Sequence, residues 1–564
     1  MSERGRVKIQ TISSGVPGLD QVLGGGLPEY SFNLIAGEPG SGKTTLAQQI
    51  MFANARPDRQ ALYFTVLGEP PLKMLRYQQA FRYFDPSRVD QEIRFVNLSA
   101  VVLNGNLSEV LDAIVREVDT HSPGLVFVDS FRTVVRATAG LPLGELELQS
   151  FVQRLALHLT SWQVTSFLVG EYNDLERQSN PVFTVADGVI WLYQSVERNS
   201  MVRKLQVVKM RGQPNMPGLH TFRIDENGVR VFPRISRGYE AEAKVQPHHR
   251  VSTGVAGLDA MLGSGIPSGD AVLLAGPSGS GKTVFAAQFI TEGARHGEPG
   301  VIAVFEEHPA DYLVRAETLG FNLRDFIDQN LVRVIYLRPL DLSVDEALTE
   351  ISDAAHQIQA KRIVIDSLSG FELAVAPTFR VDFRESLYRM VGALTTLGVT
   401  VVMTVEVIEA FTDLRFSPHE VSFLADDIIL QRYVELNGQL RKMITVVKMR
   451  SSEHSKDLRL YDVTSHGLEV GEVLSEYRGL ITGTPTRGER PVRTYPGLSD
   501  QEIAALSVLV RLGEATAPAL AQQSGLPESA LTPILNRLLS LNYAFRVVEG
   551  GQTVYRPVAQ PLGG

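Results

Sequence analysis

The sequence predicts an α/β protein: two tandem copies of one domain, each built on a mainly parallel central sheet, followed by a small helical module ending in a hairpin. Three observations carry this. Ile12–Thr44 aligns without gaps on Val251–Thr283, offset by 239 residues, with 18 of 33 positions identical. Short apolar runs rich in β-branched residues alternate with helical patterns in both copies, as in a parallel sheet covered on both faces. At 564 residues the chain is too long for a single core.

The copies stay in step beyond that segment. "ALYFTV" (Ala61–Val66) matches "VIAVF" (Val301–Phe305), and "LVFVDS" (Leu125–Ser130) matches "RIVIDS" (Arg362–Ser367). "LQVVKMRG" (Leu205–Gly212) matches "ITVVKMRS" (Ile444–Ser451). These runs read as buried strands, with helical patterns such as Thr44–Ala55 and Ala347–Gln359 between them. Two polar stretches break the pattern and read as linkers. The resulting division is a first domain over 1–234, a linker over 235–250, a second domain over 251–478, a linker over 479–496 and a terminal module over 497–564. The paired histidines of the first linker read as solvated, because no partner sits at ligand spacing.

Composition narrows the function classes. The net charge of −9 argues against a chain that binds nucleic acid or membrane over its whole surface. With no cysteine, disulfides, thiolate metal sites and cysteine nucleophiles are excluded, which fits a reducing compartment. The start "MSERGRVKIQ" lacks the apolar core of a signal peptide, and no apolar run reaches the ~18 residues of a membrane span. The expectation is a soluble cytoplasmic protein with no membrane partner.

Each copy then carries "GxxxxGK[ST]" after a strand and before a helix: "GEPGSGKTT" (Gly37–Thr45) and "GPSGSGKTV" (Gly276–Val284). Glycines allow the tight turn that aims backbone N–H groups at phosphate oxygens, and the helix N-terminus adds partial positive charge. The expected cradle is Gly37, Gly40, Ser41, Gly42, Lys43, Thr44 and Thr45 in the first copy, and Gly276, Gly279, Ser280, Gly281, Lys282 and Thr283 in the second. The ligand expected is ATP with Mg²⁺: Lys43 and Lys282 would reach the β- and γ-phosphates, and Thr44 and Thr283 the metal. Asp129 and Asp366 end matching strands and complete the metal shell. A plain glycine turn is the competing reading, and a doubled octet in the same context disfavours it.

Hydrolysis needs a carboxylate to orient or deprotonate water. The second copy offers "FEEHP", with Glu306 as the chosen base and Glu307 as its helper. In the first copy Leu67 and Gly68 stand at those positions, and Glu69 falls one residue later. Either a one-residue loop shift brings Glu69 into place, or the first copy binds ATP and turns it over poorly.

The tandem "GLD…GSGKT" modules, "FEE", "VIDS", "KMR" and the tail "GLITGTPTR" (Gly479–Arg487) resemble the KaiC family of the RecA/DnaB superfamily over about residues 10–490. The resemblance implies two RecA-like P-loop domains, a double-ring hexamer and ATP held between subunits. It gives Lys209 with Arg211, and Lys448 with Arg450, the part of fingers reaching a neighbour's γ-phosphate. Alternate residues of a strand share a face, so the spacing suits that part. It also implies serine autophosphorylation in the second domain. "HEVSFLADDIIL" (His419–Leu430) then puts Ser422 at the serine and Phe423 where a threonine is expected, with Ser417 a weaker acceptor nearby. The function expected is a signalling ATPase with a protein partner. The alternatives are a DNA-stimulated motor and a scaffold in which nucleotide only joins subunits.

The terminal module departs from the family pattern. "SDQEIAALSVLVRLG", "APALAQQSG" and "PESALTPILNRLLSLN" read as three helices, and "AFRVVEGGQTVYRPV" as a hairpin turning at Gly550-Gly551. That order looks like a winged helix-turn-helix. Arg511, Arg537, Arg546 and Arg556 stand against Asp500, Glu502, Glu514, Glu528 and Glu549, four charges against five. This balance favours protein docking at least as well as nucleic-acid binding. The wing arginines Arg546 and Arg556 leave the nucleic-acid reading open.

Overall fold

The computed structural model describes residues 9–66, 71–103, 106–136, 144–197, 200–234, 249–337, 342–380, 383–407, 425–450, 452–480, 486–487, 498–549 and 552–558. The chain divides into two compact units, the larger containing both copies of the repeated domain.

In the first copy the strands are β1 (Phe32–Gly37), β2 (Ala61–Thr65), β3 (Ile93–Asn97), β4 (Leu125–Asp129), β5 (Thr165–Glu171), β6 (Gly188–Glu197), β7 (Ser200–Met210), β8 (His220–Asp225) and β9 (Gly228–Phe232). They form one nine-stranded sheet in the order β9-β8-β7-β6-β1-β5-β4-β2-β3. The six strands from β6 to β3 are parallel, and β7 to β9 return as an antiparallel meander. β1 is buried along its whole length, as a central strand covered on both faces must be. Helices α1 (Lys43–Asn54), α2 (Leu107–His121) and α3 (Gly144–Ser161) belong to this layer system, with separate apolar clusters on the two faces. α2 starts where the Asn106 side chain accepts from the Ser108 N–H at 3.0 Å.

The second copy repeats the plan with β10 (Ala271–Gly276), β11 (Gly300–Val304), β12 (Val332–Tyr336), β13 (Arg362–Asp366), β14 (Thr400–Glu406), β15 (Asp427–Leu436), β16 (Gln439–Met449), β17 (Arg459–Thr464) and β18 (Gly467–Val473). Its order, β18-β17-β16-β15-β10-β14-β13-β11-β12, is that of the first sheet. Its helices include α4 (Lys282–Arg295), α5 (Pro309–Thr318), α6 (Val344–Ile358) and α7 (Phe383–Thr396). The Ser343 hydroxyl caps α6 by accepting from Glu346 N at 3.1 Å. Strand boundaries move by a residue or so from the sequence reading, within the usual fraying of element ends.

The two copies touch through charge. Arg223 of β8 grips Glu346 of α6 with a fork of 2.8 and 3.0 Å. Arg230 of β9 reaches Glu350 at 2.6 Å and Asp353 at 3.0 Å on the same helix. The Lys204 ammonium lies 4.8 Å from the Phe379 ring centre. Bidentate arginine contacts fix orientation as well as contribute energy.

The C-terminal unit contains α8 (Asp500–Leu512), β19 (Ala515–Thr516), α9 (Ala517–Ser524), α10 (Glu528–Ser540), β20 (Ala544–Glu549) and β21 (Gln552–Pro557). Its three strands pair in the order β19-β21-β20, a winged-helix arrangement. Ser499 and Glu502 close a capping box, with the Ser499 N–H donating to Glu502 Oε2 at 2.6 Å. Leu506, Leu509, Leu520, Leu531, Leu535 and Leu538 form the core. Arg537 pairs with Glu502 and Arg556 with Glu514, so two of the four arginines counted from the sequence are already neutralised.

Candidate nucleotide sites

Both phosphate loops sit where β1 and β10 hand over to α1 and α4. In the first, Gly42 caps the helix at φ 98°, a conformation that favours glycine. A Cβ there would also lie 2.5 Å from Ile224 Cδ1 of β8, so the loop is seated against that strand. The Lys43 ammonium folds back to the Glu38 carbonyl at 2.6 Å. Lys282 does the same, donating to Gly276 O at 2.8 Å and Pro277 O at 2.7 Å. Burial lowers the pKa of both ammonium groups. Glu171, Asp129 and Glu38 oppose it at Lys43, and Glu406, Asp366 and Glu306 at Lys282. A phosphate would supply the anion that these half-desolvated cations lack. Ser41 Oγ, buried in the first loop, finds no hydrogen-bond partner among the described residues. Its counterpart Ser280 donates to Gln431 Oε1 at 2.9 Å. Thr45 follows Thr44 in the first turn of α1.

The strand-end aspartates come to the loop threonines. Thr44 Oγ1 donates to Asp129 Oδ2 at 2.8 Å, and the Tyr63 hydroxyl donates to the same oxygen at 2.7 Å. In the second copy Asp366 accepts from Thr404 at 2.6 Å and from Thr283. Burial pushes both carboxyls up, with the hydroxyl donors opposing. One hydroxyl and one buried carboxylate, with room for water, fit a hard divalent cation such as Mg²⁺.

The second cleft is roughly 390 Å³, and Lys282, Thr283, Glu306, Glu307 and Asp366 all line it. Glu306 Oε1 accepts from Ser367 Oγ at 2.8 Å. Gly370 makes room, since a Cβ there would lie 2.5 Å from the Glu306 carboxylate. Glu307 turns to Arg315 at 2.7 Å instead. Glu69 of the first copy, and Ser422, Phe423 and Ser417 of the second, lie outside the described residues.

The two lysines lie near the ends of β7 and β16 and the two arginines just past them, held alike in the two copies. Lys209 donates to Thr184 O at 2.9 Å and Arg211 meets Asp187 at 3.1 Å; Lys448 donates to Ala425 O at 2.8 Å and Arg450 meets Asp426 at 3.4 Å. Their place in the sheet is informative. Lys209 faces Val189 near the start of β6, which pairs with the start of β1, whereas the phosphate loop follows the end of β1. Lys448 faces Ile428 near the start of β15 in the same way. Each pair therefore sits at the opposite end of its sheet from its own phosphate loop.

Sequence reasoning missed two carboxylates. Glu171 ends β5 opposite Gly37, and Glu406 ends β14 opposite Gly276. They occupy one position in the two copies, beside the loop lysines. The signal was present as a lone acid closing an apolar run, "FLVGE" and "VMTVE", but only strand order puts it next to the phosphate loop. Tyr63 was read only as a strand residue, and Thr404 was not singled out.

The family model described as "ATPase: KaiC" matches residues 12–236 and again 251–475. A second model, "Sugar-specific transcriptional regulator TrmB", matches 495–560. The circadian clock oscillator protein KaiC of Picosynechococcus sp. is 28% identical over 495 residues, covering 86% of this chain and 94% of that protein. KaiC of Thermostichus vulcanus is 27% identical over 497 residues, covering 86% and 94%. KaiC 1 of Synechocystis sp. is 26% identical over 493 residues, covering 86% and 93%. No helix among the described residues is long and apolar enough to cross a membrane. Two RecA-like domains with matching phosphate loops, each covered by its own family match, make this chain a member of the KaiC-type ATPase family with a TrmB-type winged-helix module at its C-terminal end.

Proposed function

We propose that the protein is an ATP-binding, ATP-hydrolysing signalling ATPase that assembles into a hexameric ring, with each nucleotide held between neighbouring chains. The observation that carries this reading is the placement of Lys209/Arg211 and Lys448/Arg450 at the far end of each sheet from the chain's own phosphate loop. A cation there serves a nucleotide only if that nucleotide belongs to a neighbour, and a cation supplied across an interface stabilises charge on a transferring phosphoryl group.

Within one site the residues divide the work. The loop N–H groups and Lys43 or Lys282 bind the phosphates. Thr44 with Asp129, and Thr283 with Asp366, would hold Mg²⁺, which when bound neutralises phosphate charge. Glu306 lines the second cleft with a carboxylate anchored by Ser367, so it is the proton acceptor for the attacking water. In the second domain Ser422 is the acceptor in an autokinase reaction. Native mass measurement with and without Mg-ATP tests assembly, and a strict monomer in both conditions removes the shared-site mechanism. Intact-mass analysis after incubation with Mg-ATP tests Ser422, and an unmodified chain discards the autokinase. Glu306→Gln tests the base, and unchanged turnover would favour Glu69 of the first copy, or no chemistry in the second.

A second reading, a nucleic-acid-responsive ATPase, is favoured by the TrmB-type match, whose description is that of a transcriptional regulator. Against it stand the ion-paired Arg537 and Arg556, which leave little basic footprint on the module. The module is therefore assigned to protein docking. ATP turnover measured with and without single- and double-stranded DNA separates the two: stimulation supports the second reading, and no effect supports the first.

A further inference from the structure

Glu306 and Glu307 are adjacent, yet the structure separates them. Glu306 bonds to Ser367, while Glu307 Oε1 accepts from Arg315 Nη2 at 2.7 Å across the start of α5. The Arg315 guanidinium lies 5.6 Å from the centre of the Tyr312 ring, and Tyr312 is 1% exposed. A guanidinium stacked on an immobile ring presents its fork in a fixed plane. Arg315 and Tyr312 line the same cleft as Lys282 and Asp366. In the first copy the offset of 239 keeps an arginine, Arg76, but replaces the carboxylate by Gly68.

We propose that Arg315 is a positioning residue of the second nucleotide site: it holds the Glu307 carboxylate turned toward α5, leaving Glu306 alone to receive the proton of the attacking water. The inference rests on the reading of Glu306 as proton acceptor. In the step it serves, the water oxygen forms a bond to the γ-phosphorus and the bond from that phosphorus to the β–γ bridging oxygen breaks. ADP leaves with the bridging electron pair, and the water's proton goes to Glu306.

The electrostatics agree with this geometry. Burial raises the Glu307 carboxyl, Arg315 opposes the rise by charge and hydrogen bond, and Asp366 and Asp311 add to it. Glu306, Lys282, Glu406 and Lys442 are the other charged groups facing the same cleft. Without Arg315, two neighbouring carboxylates beside Asp366 would compete to stay ionised, and the pair would take up a proton at higher pH.

The test uses the full chain carrying Lys43→Ala, so that only the second site takes nucleotide. Mg-ATP affinity and turnover are followed from about pH 5 to 9. Arg315→Ala should move the acidic limb of turnover up by about one pH unit. Adding Glu307→Gln should move it back, and Arg315→Lys should recover part of the shift, since it keeps the charge without the fork. A merely structural arginine would lower turnover equally at every pH. A limb that superimposes on the parent's overturns the inference, as does a shift that Glu307→Gln leaves in place. If the parent binds Mg-ATP without turning it over, the assignment of Glu306 falls and affinity decides the latch. An unneutralised Glu307 repels phosphate, so the affinity deficit of Arg315→Ala must shrink as pH falls. A pH-independent deficit overturns the inference, and an absence of binding overturns both readings.

Discussion

The two ATPase domains share a strand order, a phosphate loop and a threonine–aspartate pair, and differ in what surrounds the pair. In the first, Asp129 is held by the phenol of Tyr63 from the neighbouring strand β2. In the second, Asp366 is held by Thr404 from β14, on the other side. The second also brings Glu306, Glu307 and Arg315 to its cleft. Its counterparts of the two glutamates in the first copy are Leu67 and Gly68. Lysine, threonine and aspartate are thus kept in duplicate, while the adjacent glutamate pair is present in the second sequence only.

The comparison breaks most readily at the base. With Lys43→Ala in the background, Glu306→Gln should lower turnover about 10²- to 10⁴-fold. In a Lys282→Ala background, which leaves the first site, Glu171→Gln should lower the remaining turnover at least about tenfold, since Glu171 is one of the carboxylates beside Lys43. Steady-state phosphate release measures both. Equal losses from Glu171→Gln and Glu406→Gln in their own sites would show instead that this position works alike in the two domains.

Nucleotide affinity comes next. Lys43→Ala and Lys282→Ala should each weaken Mg-ATP at the altered site about 10- to 100-fold, the range expected for losing a charge-assisted hydrogen bond. Titration with a fluorescent ATP analogue should show one of two binding phases displaced in each variant.

A smaller difference lies behind the sheet. Asp427, fully buried, stands at the start of β15 where the first copy has Gly188. Burial, with Asp270 and Asp426, raises its carboxyl from 3.8 to about 7. An acid whose folded pKa lies above its unfolded one takes up a proton on folding. The stability it permits is complete below the unfolded value and is lost as pH rises through about 7. Asp427→Asn should therefore stabilise the second domain by more than about 1 kcal/mol at alkaline pH, with the effect shrinking through mild acid and vanishing below the unfolded value of 3.8. Denaturant midpoints across pH check it. The weakest expected effect is at the junction of the domains. Arg223→Ala should cost about 1 kcal/mol, because the pair it breaks is only half-buried. A thermal transition that splits into two would show that the junction couples domains of unequal stability.

Most of the architecture was legible in the chain because it repeats. One copy served as an alignment for the other, so strands, loops and the aspartates at 129 and 366 could be checked twice. The capping box at Ser499 and the αL glycine that ends α9, Gly525, were legible for a different reason: both are local signals. What stayed hidden depends on parallel pairing. Glu171 lies 134 residues from Gly37 yet faces it, and nothing in the intervening sequence sets that register. Tyr63 and Thr404 reach their aspartates by the same route. The ion pairs from Arg223 and Arg230 to α6 were equally invisible, since each partner reads alone as a solvated charge.

Strand β8 touches two worlds at once. Its alternation turns Ile224 and Phe222 toward Gly42 of the first phosphate loop and Arg223 toward Glu346 of the next domain. Three consecutive residues thus join the first phosphate loop to a helix packed on the second sheet. The strand that seats the first phosphate loop is the same strand that is pinned, one residue along, to the second domain.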